Sequence, residues 1–101
     1  MKRVAILGST GSIGTQALDI IGRHPGRFRI AAISGGRNEA LLVQQVERWK
    51  PTIVSVADAD AAARLRARFG DEHIVLCGPA GLRAVAAESG ADIVLAATDG
   101  S

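Results

Sequence analysis

Val4-Ala-Ile-Leu-Gly-Ser-Thr-Gly-Ser-Ile-Gly14 is the stretch whose reading decides the fold. Its first four residues form a continuous apolar run ending at glycine, the pattern of a strand buried on both faces. Gly8, Gly11 and Gly14 follow at GxxGxxG spacing, and Ile13, Ala17, Leu18, Ile20 and Ile21 then recur at helical intervals. A strand, a glycine-rich corner and a helix in that order are the context a dinucleotide-binding turn requires. Gly8 lets the chain turn sharply off the strand, Gly11 lets backbone approach a diphosphate with no Cβ between, and Gly14 lets the helix pack close to the sheet. The first amides of the helix, around Ser12 and Ile13, have no intrahelical partner and aim at the phosphate position, with the positive end of the helix dipole behind them. Thr10 and Ser12 add hydroxyl donors. A glycine-rich βα corner also occurs without a ligand, but the complete βαβ unit that follows favours nucleotide binding here.

Outward from this corner the chain alternates short β-branched runs with longer helical stretches. Pro25-Gly26 ends the first helix, because proline disfavours helical geometry in the residue before it. Arg29–Ile33 reads as a second strand, and Asn38 caps a second helix carrying Leu41, Leu42, Gln45, Val46 and Trp49, ended by Pro51. Thr52–Val56 is a third strand, and Asp58 opens a third helix that runs to Phe69 and stops at Gly70. His73–Cys77 is a fourth strand, Gly81–Ser89 a fourth helix with Gly90 as its stop, and Asp92–Ala97 a fifth strand. The alternation predicts an α/β fold, a Rossmann-like doubly wound parallel sheet of five strands with helices on both faces. Right-handed crossovers with a chain reversal after the third strand give the order 3-2-1-4-5.

Composition narrows the function. A chain of 101 residues has room for one hydrophobic core, so residues 1–101 read as one domain. With 48% hydrophobic residues and a mean hydropathy of +0.20 it is too apolar for disorder. The net charge is +2, no basic cluster exceeds a pair such as Lys2-Arg3, and aromatics are 3%, which argues against nucleic-acid binding. No apolar run approaches the roughly 18 residues of a membrane span, and Val4–Leu7 is too short for the core of a signal peptide. The single Cys77 leaves no internal disulfide or cysteine zinc cage. The expected setting is reduced and cytoplasmic.

The second informative segment is Ser34-Gly-Gly-Arg-Asn38, about 20 residues past the last motif glycine. An NAD-selective site places an acid here to hold the adenosine ribose, whereas this stretch has no acid before Glu39 and offers Arg37, a guanidinium suited to a 2′-phosphate. NADP(H) is therefore favoured over NAD(H). The remaining candidates read as structural. Cys77 is a small hydrophobe, Asp58 and Asp60 suit a helix start, and Trp49, Phe28 and Phe69 pack between helix and sheet. Arg64, Arg66 and Arg68 mark a solvated helix face. Asp99 is an acid at the expected cofactor edge without an assigned role.

Lys2-Arg-Val-Ala-Ile-Leu-Gly-Ser-Thr-Gly-Ser-Ile-Gly-Thr-Gln-Ala-Leu-Asp19, with His24-Pro25 before Phe28-Arg29 and Gly-Arg-Asn at 36–38, resembles the start of the 1-deoxy-D-xylulose 5-phosphate reductoisomerase family. The resemblance implies an NADPH-dependent enzyme of non-mevalonate isoprenoid biosynthesis. Such an enzyme rearranges 1-deoxy-D-xylulose 5-phosphate and reduces the product to 2-C-methyl-D-erythritol 4-phosphate with a divalent metal, Mg²⁺ or Mn²⁺. It implies that Thr10, Gly11, Ser12 and Ile13 contact the cofactor phosphates and that Gly36, Arg37 and Asn38 surround the adenosine 2′-phosphate. It further implies a homodimeric complete enzyme.

The family's apolar Ile-Val-Gly-x-Ala-Gly-Leu segment is replaced by Thr98-Asp-Gly-Ser101, and its Lys-Glu-Ser loop, metal-binding acids and substrate-phosphate site lie further along. The expectation is a piece truncated before the catalytic domain, holding no catalytic or metal-binding residue and inactive alone. Two other readings stay open. One is a stand-alone NADP(H)-binding module without catalysis, which a stop codon after Ser101 in the source DNA would favour. The other is a different NADP(H) oxidoreductase. A short-chain reductase needs Tyr-x-x-x-Lys, and this chain has no tyrosine; a semialdehyde dehydrogenase needs a nucleophilic cysteine in a context that Cys77 does not match.

Overall fold

The computed structural model describes residues 1–36 and 38–97. Five parallel strands, β1 (Lys2–Leu7), β2 (Phe28–Ser34), β3 (Ile53–Val56), β4 (Ile74–Cys77) and β5 (Ile93–Ala96), form one sheet. They are joined by α1 (Ser12–Gly22), α2 (Glu39–Trp49), α3 (Ala59–Phe69) and α4 (Gly78–Arg83). A 3₁₀ turn, Gly70–Glu72, follows α3, and a π-helical turn, Ala84–Glu88, continues α4.

The α/β class, the five parallel strands and the helices on both faces are as the alternation predicts. The strand order is not. The sheet runs β4-β3-β2-β1-β5, so β4 lies outside β3 and β5 takes the place beside β1 expected of β4. The cause is the face on which α3 packs. Ala61, Ala62 and Leu65 join Leu18 and Ile21 of α1 and Leu42 and Val46 of α2 in one core over Val4, Ile6, Ile30, Ile33, Val54 and Val56. Three right-handed crossovers on one face must step in one direction. The chain therefore reverses only after β4, when α4 and its π turn recross the other face beneath β3, β2 and β1.

That second face is built from small residues. Ala5, Ala32 and Ile53 pack on Val85, and a Cβ added to Gly81 would come within 2.3 Å of the Ser55 hydroxyl. Register explains how β2 serves both faces. Val4 pairs with Ile30 but Ala5 with Ala32, and the extra residue, Ala31, lets Ile30 and Ile33 enter the same core although three positions apart.

Local signals hold at several ends. Asn38 Oδ1 accepts from the Leu41 amide at 3.1 Å and Asp58 Oδ1 from the Asp60 amide at 3.1 Å. Gly90 sits at φ 72° just after the π turn. Helix α4 starts at Gly78, three residues before the predicted Gly81, because Pro79 in a first turn gives up only an amide that has no helical partner there. Trp49, Phe28, Phe69 and Cys77 pack, partly buried, against the larger core. Strand β5 forms a sheet edge with Ile93 and Val94 exposed. No helix among the described residues is long and apolar enough to cross a membrane.

Candidate functional site at the carboxyl edge of the sheet

Leaving β1, the chain turns at Gly8, whose φ of 83° is the left-handed conformation that favours glycine. The Gly8 and Ser9 amides donate to the Ser34 carbonyl at 2.9 and 2.8 Å, and Gly8 N–H also reaches the Ser34 hydroxyl at 3.1 Å. Gly11 caps α1 with no side-chain hydrogen bond, while its carbonyl accepts from the Thr15 amide at 2.9 Å. The first amides of α1 thus begin at an exposed surface formed by Gly11, Ser12 and Ile13.

The three glycines separate by what surrounds them. A Cβ on Gly14 would lie 2.2 Å from the Gly8 carbonyl oxygen and 2.7 Å from Ser9 Cα, so the helix presses directly on the turn. A Cβ on Gly11 would meet nothing nearer than 3.6 Å. Gly11 is exposed, and a Cβ there would make ordinary van der Waals contact with the Gly8 and Ala97 carbonyl oxygens at 3.6 and 3.9 Å, so the backbone face beside it stays accessible to a group that must touch it.

The second segment closes on the first. The Gly36 amide donates to Thr10 Oγ1 at 2.9 Å, joining the two predicted halves of the site across 26 residues of sequence. Because the Thr10 oxygen accepts this bond, its hydroxyl proton can be donated elsewhere. Thr10, Gly11, Ser12, Ile13, Gly36 and Asn38 therefore meet at one edge. Arg37 lies outside the described residues, as does Asp99. Asn38 uses its side-chain oxygen to cap α2. An apolar cleft of about 350 Å³ opens beside these residues, lined among others by Gly8, Gly35, Val56, Ala57, Pro79 and Leu82. A wider one of about 480 Å³ lies at the opposite, amino-terminal end of the strands around Arg29, Lys50 and His73. In open parallel sheets ligands bind at the carboxyl ends, which singles out the glycine turn.

Three features were not legible beforehand. Ile13 counted toward the helical apolar pattern, yet it is 53% exposed at the mouth of the turn, and Ile20 is 55% exposed; Gly14, Leu18 and Ile21 make the buried stripe. Gln45 is buried on α2 and donates from Nε2 to the Ser9 carbonyl at 2.8 Å, bracing the turn from beneath. A glutamine inside an otherwise apolar stripe was the signal available for it. The arginines of α3 are exposed but each takes a partner. Arg66 donates to the Val75 carbonyl at 2.6 Å, Arg68 to Glu47 at 2.8 Å, and Arg64 to Glu39 at 2.7 Å.

Among the described residues no three His, Cys, Asp or Glu side chains gather as metal ligands would. His73 turns its Nδ1 to the Pro51 carbonyl at 2.5 Å, at the far end of the sheet from the turn.

Comparison with known proteins bears on the family and the fold. The family model described as 1-deoxy-D-xylulose 5-phosphate reductoisomerase matches residues 4–101. The reductoisomerase of Anaeromyxobacter sp. (strain K) is 52% identical over 100 residues, which are 99% of this chain and 26% of that protein. The one from Chlorobaculum tepidum is 45% identical over 102 residues, covering all of this chain and 27% of its own. A crystal structure of DOX-P reductoisomerase in complex with NADPH, fosmidomycin and magnesium superposes with a TM-score of 0.86 at 34% identity, over 93% of this chain and 24% of that one. The Zymomonas mobilis enzyme in complex with NADPH gives 0.82 at 29% identity, over 92% and 24%. The chain spans about a quarter of the length of these relatives. A glycine corner on which α1 closes at Gly14, a fold shared with solved reductoisomerases and a match from Val4 to the last residue lead to one assignment: the chain belongs to the 1-deoxy-D-xylulose 5-phosphate reductoisomerase family.

Proposed function

We propose that residues 1–101 are the NADPH-binding domain of an enzyme that converts 1-deoxy-D-xylulose 5-phosphate to 2-C-methyl-D-erythritol 4-phosphate. The observation that carries this reading is the hydrogen bond from Gly36 to Thr10, which brings the glycine-rich turn and the end of the Ser34–Gly36 segment to the same edge of the sheet. In this assignment the amides of Ser12 and Ile13, with the Thr10 and Ser12 hydroxyls, hold the diphosphate over the exposed face of Gly11. Gly36, Arg37 and Asn38 hold the adenosine 2′-phosphate, with Arg37 supplying the fork that a phosphate prefers. The apolar cleft beside Gly35 and Leu82 suits the flat adenine. When bound, NADPH supplies the hydride for the reductive half of the reaction, and the role of this chain is to bind and orient it.

The sugar phosphate, the divalent metal and the residues that handle both belong to segments of the complete enzyme other than this one. The same reading makes the complete enzyme cytoplasmic and homodimeric, in keeping with the single cysteine and the family resemblance. Assayed alone with substrate, Mn²⁺ and NADPH, the 101-residue chain is expected to oxidise no NADPH above a no-protein control; measurable turnover would place catalytic groups within it.

Titration with the two nicotinamide cofactors tests the binding assignment. NADPH should bind at least tenfold more tightly than NADH, the discrimination a well-placed charge-assisted fork supplies at about 1.4 kcal/mol per tenfold. Arg37→Glu should abolish that preference, since a carboxylate repels the 2′-phosphate. Equal affinities in the wild-type chain would overturn the role of Arg37.

A further inference from the structure

Glu39 is the first acid after β2 and the first residue of α2, next to the loop assigned to the 2′-phosphate. In a site for unphosphorylated ribose, an acid following the second strand accepts from the ribose hydroxyls and rejects a phosphate there. Glu39 directly follows the Ser34–Asn38 stretch, and a free carboxylate there would repel a bound 2′-phosphate unless something withdraws it. Arg64, one helix away on α3, does so. Its Nε lies 3.1 and 3.0 Å from the two Glu39 carboxylate oxygens, and its NH2 donates to Oε1 at 2.7 Å.

The pair borders a cleft of about 190 Å³ that Gly36 and Asp58 also line. Asp58 and Asp60, at the start of α3, add negative charge that acts on Arg64 as well. The hydrogen bonds from Arg64 lower the Glu39 carboxyl from its ordinary value, so the acid is charged at neutral pH. An exposed ion pair contributes little to stability, and its value here lies in what it does to a neighbouring dianion.

On top of the NADPH reading above, we propose that Arg64 is a specificity-determining positioning residue. By occupying both oxygens of Glu39 it removes an acid that would otherwise accept the ribose 2′-hydroxyl and repel a 2′-phosphate. Arg64 acts through Glu39 and does not itself touch the phosphate.

Binding of NADPH and NADH to four forms of the chain, followed by fluorescence, tests this: wild type, Arg64→Gln, Glu39→Gln and the double variant, each with a circular-dichroism melt to verify folding. Arg64→Gln should weaken NADPH about tenfold and leave NADH unchanged or tighter, with the loss shrinking as salt screens the exposed charges. Adding Glu39→Gln should restore NADPH to within about threefold of wild type, a non-additivity that marks action through Glu39. A double variant as weak as Arg64→Gln would instead indicate direct phosphate contact and overturn the proposal. So would an unchanged NADPH-to-NADH ratio in Arg64→Gln. If wild type itself showed no preference for NADPH, the underlying cofactor reading would fail, a result separable from both.

Discussion

Gly14→Ala should lower the melting temperature by about 15 °C and abolish cofactor binding. The added Cβ would sit 2.2 Å from the Gly8 carbonyl oxygen and under 3 Å from two Ser9 backbone atoms. No side chain can swing aside to make room, because the three nearest atoms are all main chain. Either α1 lifts off the sheet or the turn opens, and both moves disturb Leu18 and Ile21, which are 4% and 8% exposed in the larger core. Overpacking of this kind costs about 3 kcal/mol. In a domain of this size each kcal/mol moves the midpoint by roughly 4–8 °C, and total stability is commonly only about 5–15 kcal/mol. Thermal unfolding followed by far-ultraviolet circular dichroism measures the effect. A midpoint within about 3 °C of wild type, against the roughly 4–8 °C that 1 kcal/mol would produce, would mean that the helix does not press on the turn as described.

Gly11→Ala should do the opposite: leave the fold intact and cost binding. The residue has φ −76° and ψ 173°, an extended conformation open to any amino acid. The new Cβ would have nothing closer than the Gly8 carbonyl oxygen at 3.6 Å. Stability should therefore change by less than about 0.5 kcal/mol, the range of substitutions away from packed sites. The methyl group would occupy the space in which the diphosphate approaches backbone, and NADPH affinity should fall about 30-fold, or about 2 kcal/mol. Isothermal titration together with a thermal melt separates the two quantities. Unchanged affinity in a folded Gly11→Ala chain would mean that no phosphate rests on that face. The two alanine variants, three residues apart in one motif, thus divide the turn into a side that faces the fold and a side that faces the ligand.

Helix ends were legible because their chemistry is local. Asn38 and Asp58 cap the helices they were expected to cap, since a short polar side chain needs only an amide two or three residues ahead. The glycine corner was legible for the same reason. Ile13 misled because apolar periodicity alone does not say which of two overlapping stripes is buried; Gly14, which has no side chain, faces the turn and the sheet, and that leaves Ile13 outward.

 For the arginines of α3 the exposed face was legible and the partners were not. Each is exposed, as a solvated face requires, yet their partners Glu39, Glu47 and the Val75 carbonyl come from neighbouring elements that no helical wheel displays.

From its amino acids alone this chain had already settled its α/β class, the number of strands, the position of the glycine-rich turn and its family resemblance. These depend on contacts within a few residues: a strand ending in glycine, unpaired amides at a helix start, prolines that stop helices. Only the tertiary structure decided the strand order β4-β3-β2-β1-β5, because the alternation of strands and helices is the same whichever face α3 takes. It alone joined Thr10 to Gly36, Gln45 to Ser9 and Arg64 to Glu39, pairs 26, 36 and 25 residues apart. Bonds over such separations exist only after the sheet has chosen its neighbours, and they turn a recognisable motif into a site with a defined shape and charge.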